Sequence, residues 1–118
     1  MMHKTPPMID FLRPILQWAS ERAGEFSLPE IAEEMANYFE LSLEARNERT
    51  AGDNAYCFYD KTKWSINLYL KKANLLESTR RGHYKITDAG RREAFSSDKR
   101  MTPDYLLRNF PAYGKKKV

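Results

Sequence analysis

One cysteine and two histidines in 118 residues leave little material for covalent or metal cross-links. Cys57 alone excludes an internal disulfide and fits a reducing compartment. A single thiol with His3 and His83, far apart in the chain, does not build a zinc site. Long apolar runs are missing too; the longest are a few residues, against the roughly 20 needed to span a bilayer. Met-Met-His-Lys is followed by Thr-Pro-Pro and not by an apolar stretch, so no secretory leader is expected. No glycine-rich loop follows a strand-like run, which leaves nucleotide hydrolysis without support. These absences lead to the expectation of a cytoplasmic protein with no membrane partner, no metal and no small-molecule cofactor.

What the chain does have is charge, unevenly spread. Hydrophobic residues at 42% with 31% charged describe one small folded domain. The net charge of +4 conceals opposed segments: residues 1–59 carry 5 basic and 10 acidic side chains, 60–87 carry 7 and 2, and 88–118 carry 8 and 4. Such asymmetry points to a polyanionic partner, because one face can attract phosphates while another stays acidic.

Met8, Phe11, Leu12, Ile15, Leu16 and Ala19 recur at amphipathic-helix spacing. Pro14 lacks the N–H that would bond back to Asp10, so the helix is expected to kink there or to begin near Arg13. Gly24 stops it, and Trp18 is expected in the core. Ser27-Leu28-Pro29-Glu30 is a capping box opening a second helix, with Leu28, Ile31, Ala32, Met35, Ala36 and Phe39 inward. Glu30, Glu33, Glu34 and Glu40 read as its solvated face, since nothing apolar is placed to raise a carboxyl pKa for acid–base work. Ser42 to Arg49 is expected as a short helix with Leu43 inward, and residues 50–54 as a loop. Ala55–Tyr59 is expected as an extended piece that joins a sheet. Cys57 is expected to be buried and inert.

The basic segment runs from Asp60 to Thr87. Asp60 is a candidate N-cap. Lys61 to Ala73 contains neither Gly nor Pro, and Ile66, Tyr69, Leu70 and Ala73 share one side of the predicted helix. Asn74 suits the left-handed geometry that ends helices. Leu75–Ser78 and His83–Thr87 then flank Thr79-Arg80-Arg81-Gly82, a turn whose glycine supplies positive φ. A helix tied to a hairpin with an Arg-Arg-Gly tip is the recognition half of a winged helix. The expected class is therefore α+β, a helical core with an antiparallel hairpin or three-stranded sheet. The domain spans residues 8–95; residues 96–118 form a linker, a short helix opened by Thr102-Pro103-Asp104, and a basic tail. Candidate DNA contacts are Lys61, Lys63, Asn67, Lys71 and Lys72 on the helix, and Arg80, Arg81, His83 and Lys85 on the wing. Asparagine can bond adenine, lysine can contact guanine or phosphate, and arginine suits phosphate and the narrow minor groove. Trp64 and Leu68 lie away from the predicted core side, among lysines. They are open to a second reading, in which aromatic residues 56–59, helix 1 or another subunit covers them.

From about Ile9 to Phe95 the chain resembles the N-terminal winged-helix domain of the Mrr family of modified-DNA restriction endonucleases. The resemblance rests on Tyr69-Leu70-Lys71-Lys72-Ala73-Asn74-Leu75-Leu76-Glu77, on Arg80-Arg81-Gly82-His83-Tyr84 and on Ile86-Thr87-Asp88-Ala89-Gly90-Arg91. The family pattern has a tryptophan-led helix, Leu-Lys-Lys-Ala-Gly-Leu-Leu, an Arg-Arg-Gly tip and Thr-x-x-Gly-Arg; here Asn74 replaces the glycine and Trp64 comes one position early. The resemblance implies double-stranded DNA as partner. The family's nuclease chemistry uses an Asp and a Gln-x-Lys pair in a second domain. This sequence has no Gln-x-Lys, its only glutamine being Gln17, so no cleavage is expected. Two alternatives stand beside DNA binding: a winged-helix protein–protein module, and a transcriptional regulator whose homodimer reads a two-fold operator.

Overall fold

Helix α1 (Ile9–Ser20) supplies the centre of the core, with Phe11, Leu12, Ile15, Leu16 and Ala19 fully buried along one side. Pro14 sits within it, and the helix runs through from Ile9 instead of starting near Arg13. The computed structural model describes residues 4–52, 54–97 and 100–114; the basic end at 115–118 and His3 lie outside the described residues. Strand β1 (Phe26–Ser27) leads directly into α2 (Leu28–Tyr38). Ser27 Oγ accepts the Glu30 N–H at 3.3 Å and the Glu30 carboxylate accepts the Ser27 N–H at 3.4 Å, the expected reciprocal cap. Trp18 is half-buried, its ring edge-on to Phe26 at 5.2 Å.

A single turn, α3 (Leu43–Arg46), is capped by Ser42 Oγ, which accepts the Ala45 N–H at 3.1 Å. Leu43 is exposed, contrary to expectation, because the inward positions here belong to Ala45 and Leu41, packed on Ala36. Helix α4 (Cys57–Trp64) likewise corrects the sequence reading. Ala55–Tyr59 is not a strand: Tyr56 stands at the N-cap, Cys57 N–H donates to Glu48 O at 2.8 Å, and Asp60 falls inside the first turn. The aromatic run has strand propensity, but Tyr59, Thr62 and Ile66 recur at three and four and pack inward as a helix face.

From Ser65 to Leu70 the same helix widens into a π segment. Lys71 N–H bonds to Ile66 O and Leu75 N–H to Leu70 O, each across five residues at 2.9 Å. The wider turn keeps Ile66, Leu70 and Ala73 buried while Leu68, Lys71 and Lys72 stay exposed. Asn74, at φ 61°, ends the run in the left-handed conformation.

Strands β2 (Leu76–Arg80) and β3 (His83–Ile86) form the hairpin, with Gly82 at φ 74° in its tip. The sheet is antiparallel in the order β1-β3-β2, Phe26 facing Tyr84 and Leu76 facing Ile86. Its third strand thus comes from residues 26–27, not from 55–59. Helix α5 (Asp88–Ala94) is capped by Thr87, and α6 (Pro103–Asn109) by Thr102 with proline in the first turn. Met101 and Leu106 join the cluster built on α1, and Tyr113, in the closing 3-10 turn (Pro111–Gly114), stacks on Tyr69 of the π segment at 6.3 Å. The result is an α+β, winged-helix-like domain. Among the described residues no helix is long and apolar enough to cross a membrane.

Candidate nucleic-acid interface

Residues Tyr56, Asp60, Lys63 and Asn67 follow one another at spacings of four, three and four, which sets them along one side of α4 and the π segment. Trp64 and Leu68 flank that stripe, 38% and 39% exposed. Lys63 Nζ lies 3.6 Å from Asp60 Oδ1 and 4.7 Å from the centre of the Trp64 ring. Asn67 Nδ2 donates one of its two protons to Lys63 O at 3.0 Å, which leaves the other proton and Oδ1 for a base edge. Lys71 and Lys72 are exposed, with no ion pair among the described residues.

Lys61 is set apart from the other lysines. Its Nζ donates to Thr5 O at 3.2 Å and Pro6 O at 2.8 Å, while Ser65 Oγ, one turn on, donates to Met8 O. This side of the helix holds the segment leading into α1.

On the wing, Arg80 Nε and an Nη reach Glu25 Oε1 at 3.2 and 2.9 Å, and Thr79 Oγ1 donates to Glu25 Oε2 at 2.6 Å. The Thr79 hydroxyl first, then Arg80, holds the Glu25 carboxyl below its ordinary pKa. Leu28 N–H donates to Gly82 O at 3.0 Å, pinning the tip beside the start of α2. Arg81 is exposed and carries no ion pair among the described residues; its carbonyl lies 3.1 Å from His83 Nδ1, and His83 is half-buried. Lys85 is exposed opposite Glu77.

Arg91 donates to Ser20 O at 2.6 Å and Arg22 O at 2.7 Å. It thereby closes the carbonyl end of α1. Cys57 is half-buried, and burial together with Glu48 pushes its thiol up, away from the thiolate a nucleophile requires. Among the described residues no three His, Cys, Asp or Glu side chains are grouped to hold a metal.

Sequence reasoning missed two features of this surface. Glu25 meets Arg80 from 55 residues away, and local pattern carries no trace of that. Arg49 lies over the Tyr56 ring, its guanidinium carbon 3.7 Å from the centroid, at the point where α4 begins. The nine candidates therefore divide. Lys71, Lys72, Arg81 and Lys85 are open; Lys63, Asn67, Arg80 and His83 are engaged but at the surface; Lys61 is turned away. The family model for the Mrr N-terminal domain matches residues 10–95. No curated protein and no solved structure matches the chain.

Proposed function

The chain belongs to the family of Mrr N-terminal domains, and we propose that it binds double-stranded DNA without catalysing a reaction, as the recognition part of a restriction system for modified DNA. In this reading the exposed side of α4 and the π segment enters the major groove, and the wing lies on the backbone beside it. One observation carries it. Lys71, Lys72 and Arg81 are exposed, without an ion pair among the described residues, and belong to the end of the recognition helix and the hairpin that follows, where Lys85 stands exposed across from Glu77. Cations without a carboxylate partner have no ion pair to break when they move onto phosphate.

Neutralising five or six phosphates makes log affinity fall with log salt at a slope of about −5. Replacing Arg80 and Arg81 together by Ala should weaken binding to any duplex and flatten that slope by roughly one to two. The assay is a salt-titrated anisotropy measurement on methylated and unmethylated duplexes. Unaltered binding by the double variant removes the wing from the interface. The exposure of Trp64 and Leu68 favours one rival, a protein-interaction module. That rival expects a stable complex with itself or another protein, weakly dependent on salt and indifferent to DNA.

A further inference from the structure

Most arginines of this domain are already committed. Arg13, Arg22, Arg46, Arg80 and Arg100 each pair with a carboxylate, and Arg91 closes α1. Arg49 differs: among the described residues it pairs with no carboxylate. Its guanidinium stacks on Tyr56 at 3.7 Å, and one Nη donates to Asn54 O at 2.8 Å. The loop beneath is fixed by a bridge between Arg49 and Tyr56, by Thr50 N–H on Ala55 O at 2.9 Å, and by Cys57 N–H on Glu48 O. Asn54 closes the turn at φ 55°. Of the nearby carboxylates among the described residues, Glu48 accepts the Thr5 N–H at 3.3 Å and Asp60 faces Lys63. Both Arg49 and Tyr56 remain exposed.

Position gives this pair its meaning. Tyr56 heads the stripe that continues through Asp60, Lys63 and Asn67, so the stack stands at the N-terminal end of the side offered to DNA. The wing follows the C-terminal end. The eight α-helical and six π-helical residues between span about 20 Å, enough to cross a major groove about 12 Å wide and reach the backbone on both sides. A planar guanidinium held on an aromatic face has lost its rotamer freedom already and keeps an edge of N–H donors for a phosphate.

We infer that Arg49, seated on Tyr56, is a DNA-phosphate contact that clamps the strand on the far side of the groove from the wing. This rests on the DNA-binding reading above. Because a phosphate contact carries no sequence information, a 20-base-pair duplex of mixed sequence is an adequate probe. Arg49→Ala should weaken binding to it about three- to tenfold and flatten the salt slope by about one. Arg49→Lys keeps the charge and loses the planar stack; it should keep the slope and recover part of the affinity. Should either variant fail to fold, phenylglyoxal labelling of the wild-type chain with peptide mapping serves instead. There the duplex should protect Arg49 while leaving Arg108 reactive. Wild-type protein that ignores the duplex at low salt overturns DNA binding and the contact together. Wild-type binding with an unaffected Arg49→Ala variant, or with Arg49 unprotected, overturns the contact alone.

Discussion

Arg13 and Glu93 meet at 3.0 Å with side chains 9% and 10% exposed; Arg80 and Glu25 meet at 2.9 Å with 65% and 38% exposed. The contacts are nearly the same and the surroundings opposite. At the first pair, Glu93 also accepts from Ser96 Oγ at 3.0 Å and Tyr105 OH at 2.7 Å, and Arg13 donates to the Glu93 carbonyl at 2.7 Å. Those bonds join α1, α5 and α6 where water has little access. Burial also pushes the Tyr105 hydroxyl pKa up, helped by the carboxylate it faces. At the second pair water surrounds both groups, and the attraction is weak enough for a phosphate to compete. Between these two pairs, charge is structural where it is dry and available where it is wet.

The sharpest way to break that contrast is on the dry side. Arg13→Met should cost about 3 kcal/mol, since Glu93 is left buried with only neutral donors. Urea unfolding followed by circular dichroism reads it directly. Replacing both partners, Arg13→Met with Glu93→Leu, should recover much of the loss, because a well-packed apolar pair escapes the desolvation of two ions. A double variant as unstable as the single one would mean that the pair holds α5 by more than its charge.

Gly90→Ala should cost nearly as much, about 2–3 kcal/mol. A Cβ at Gly90 would stand 2.1 Å from the Leu75 carbonyl oxygen and 2.7 Å from Ile86 Cγ1. Neither backbone nor a packed strand residue can yield that distance, so α5 would lift from the sheet and carry Glu93 away from Arg13. The same urea experiment tests it, and a stability unchanged from wild type would show that α5 is not seated as tightly as its contacts imply.

Gly90 also shows how far the sequence was legible. The family-like Thr-x-x-Gly-Arg motif reads locally as a helix start, and Thr87 does cap α5, its Oγ1 accepting the Gly90 N–H at 3.0 Å. The rest of its meaning is long-range: Thr87 Oγ1 donates to Asn74 O at 2.7 Å, Gly90 permits close approach to Leu75, and Arg91 reaches the end of α1. Helices α1 and α2 were readable because their burial follows a simple period, and Ser27, Ser42 and Thr102 because caps are local chemistry. The stretch 55–59 was misread because propensity pointed to a strand while tertiary packing required a helix face. The π turn has no compositional mark; it is a shift of hydrogen bonds imposed by what the helix packs against. For the helix that carries the lysines, the buried side of Ile66, Leu70 and Ala73 was readable from its spacing. Which cations remain open was not, because that depends on partners such as Glu25 and the Thr5 and Pro6 carbonyls, each more than 50 residues away.

The smallest effect is expected on the wet side. Glu25→Gln should leave the urea midpoint near that of wild type, since an exposed pair contributes little to folding. Its effect should appear in binding: with the carboxylate gone, Arg80 is released to phosphate and a repulsive charge leaves the wing. Affinity for duplex should rise about twofold at moderate salt, and the salt slope should steepen by up to about one. The pH dependence gives a second reading of the same contact. Because the folded protein holds the Glu25 carboxyl below its ordinary pKa, whatever the pair adds to stability is fully present above the unfolded value of about 4.3 and disappears as pH falls through the lower folded value. Acidification through that range should therefore free Arg80 in the wild type and change nothing at this position in Glu25→Gln. An NMR titration of the Glu25 side chain locates the transition, and anisotropy at pH 7 compares the two proteins on DNA. Weaker binding by Glu25→Gln at pH 7 would reverse the assignment, making Glu25 the group that aims Arg80 at the backbone instead of one that competes with it.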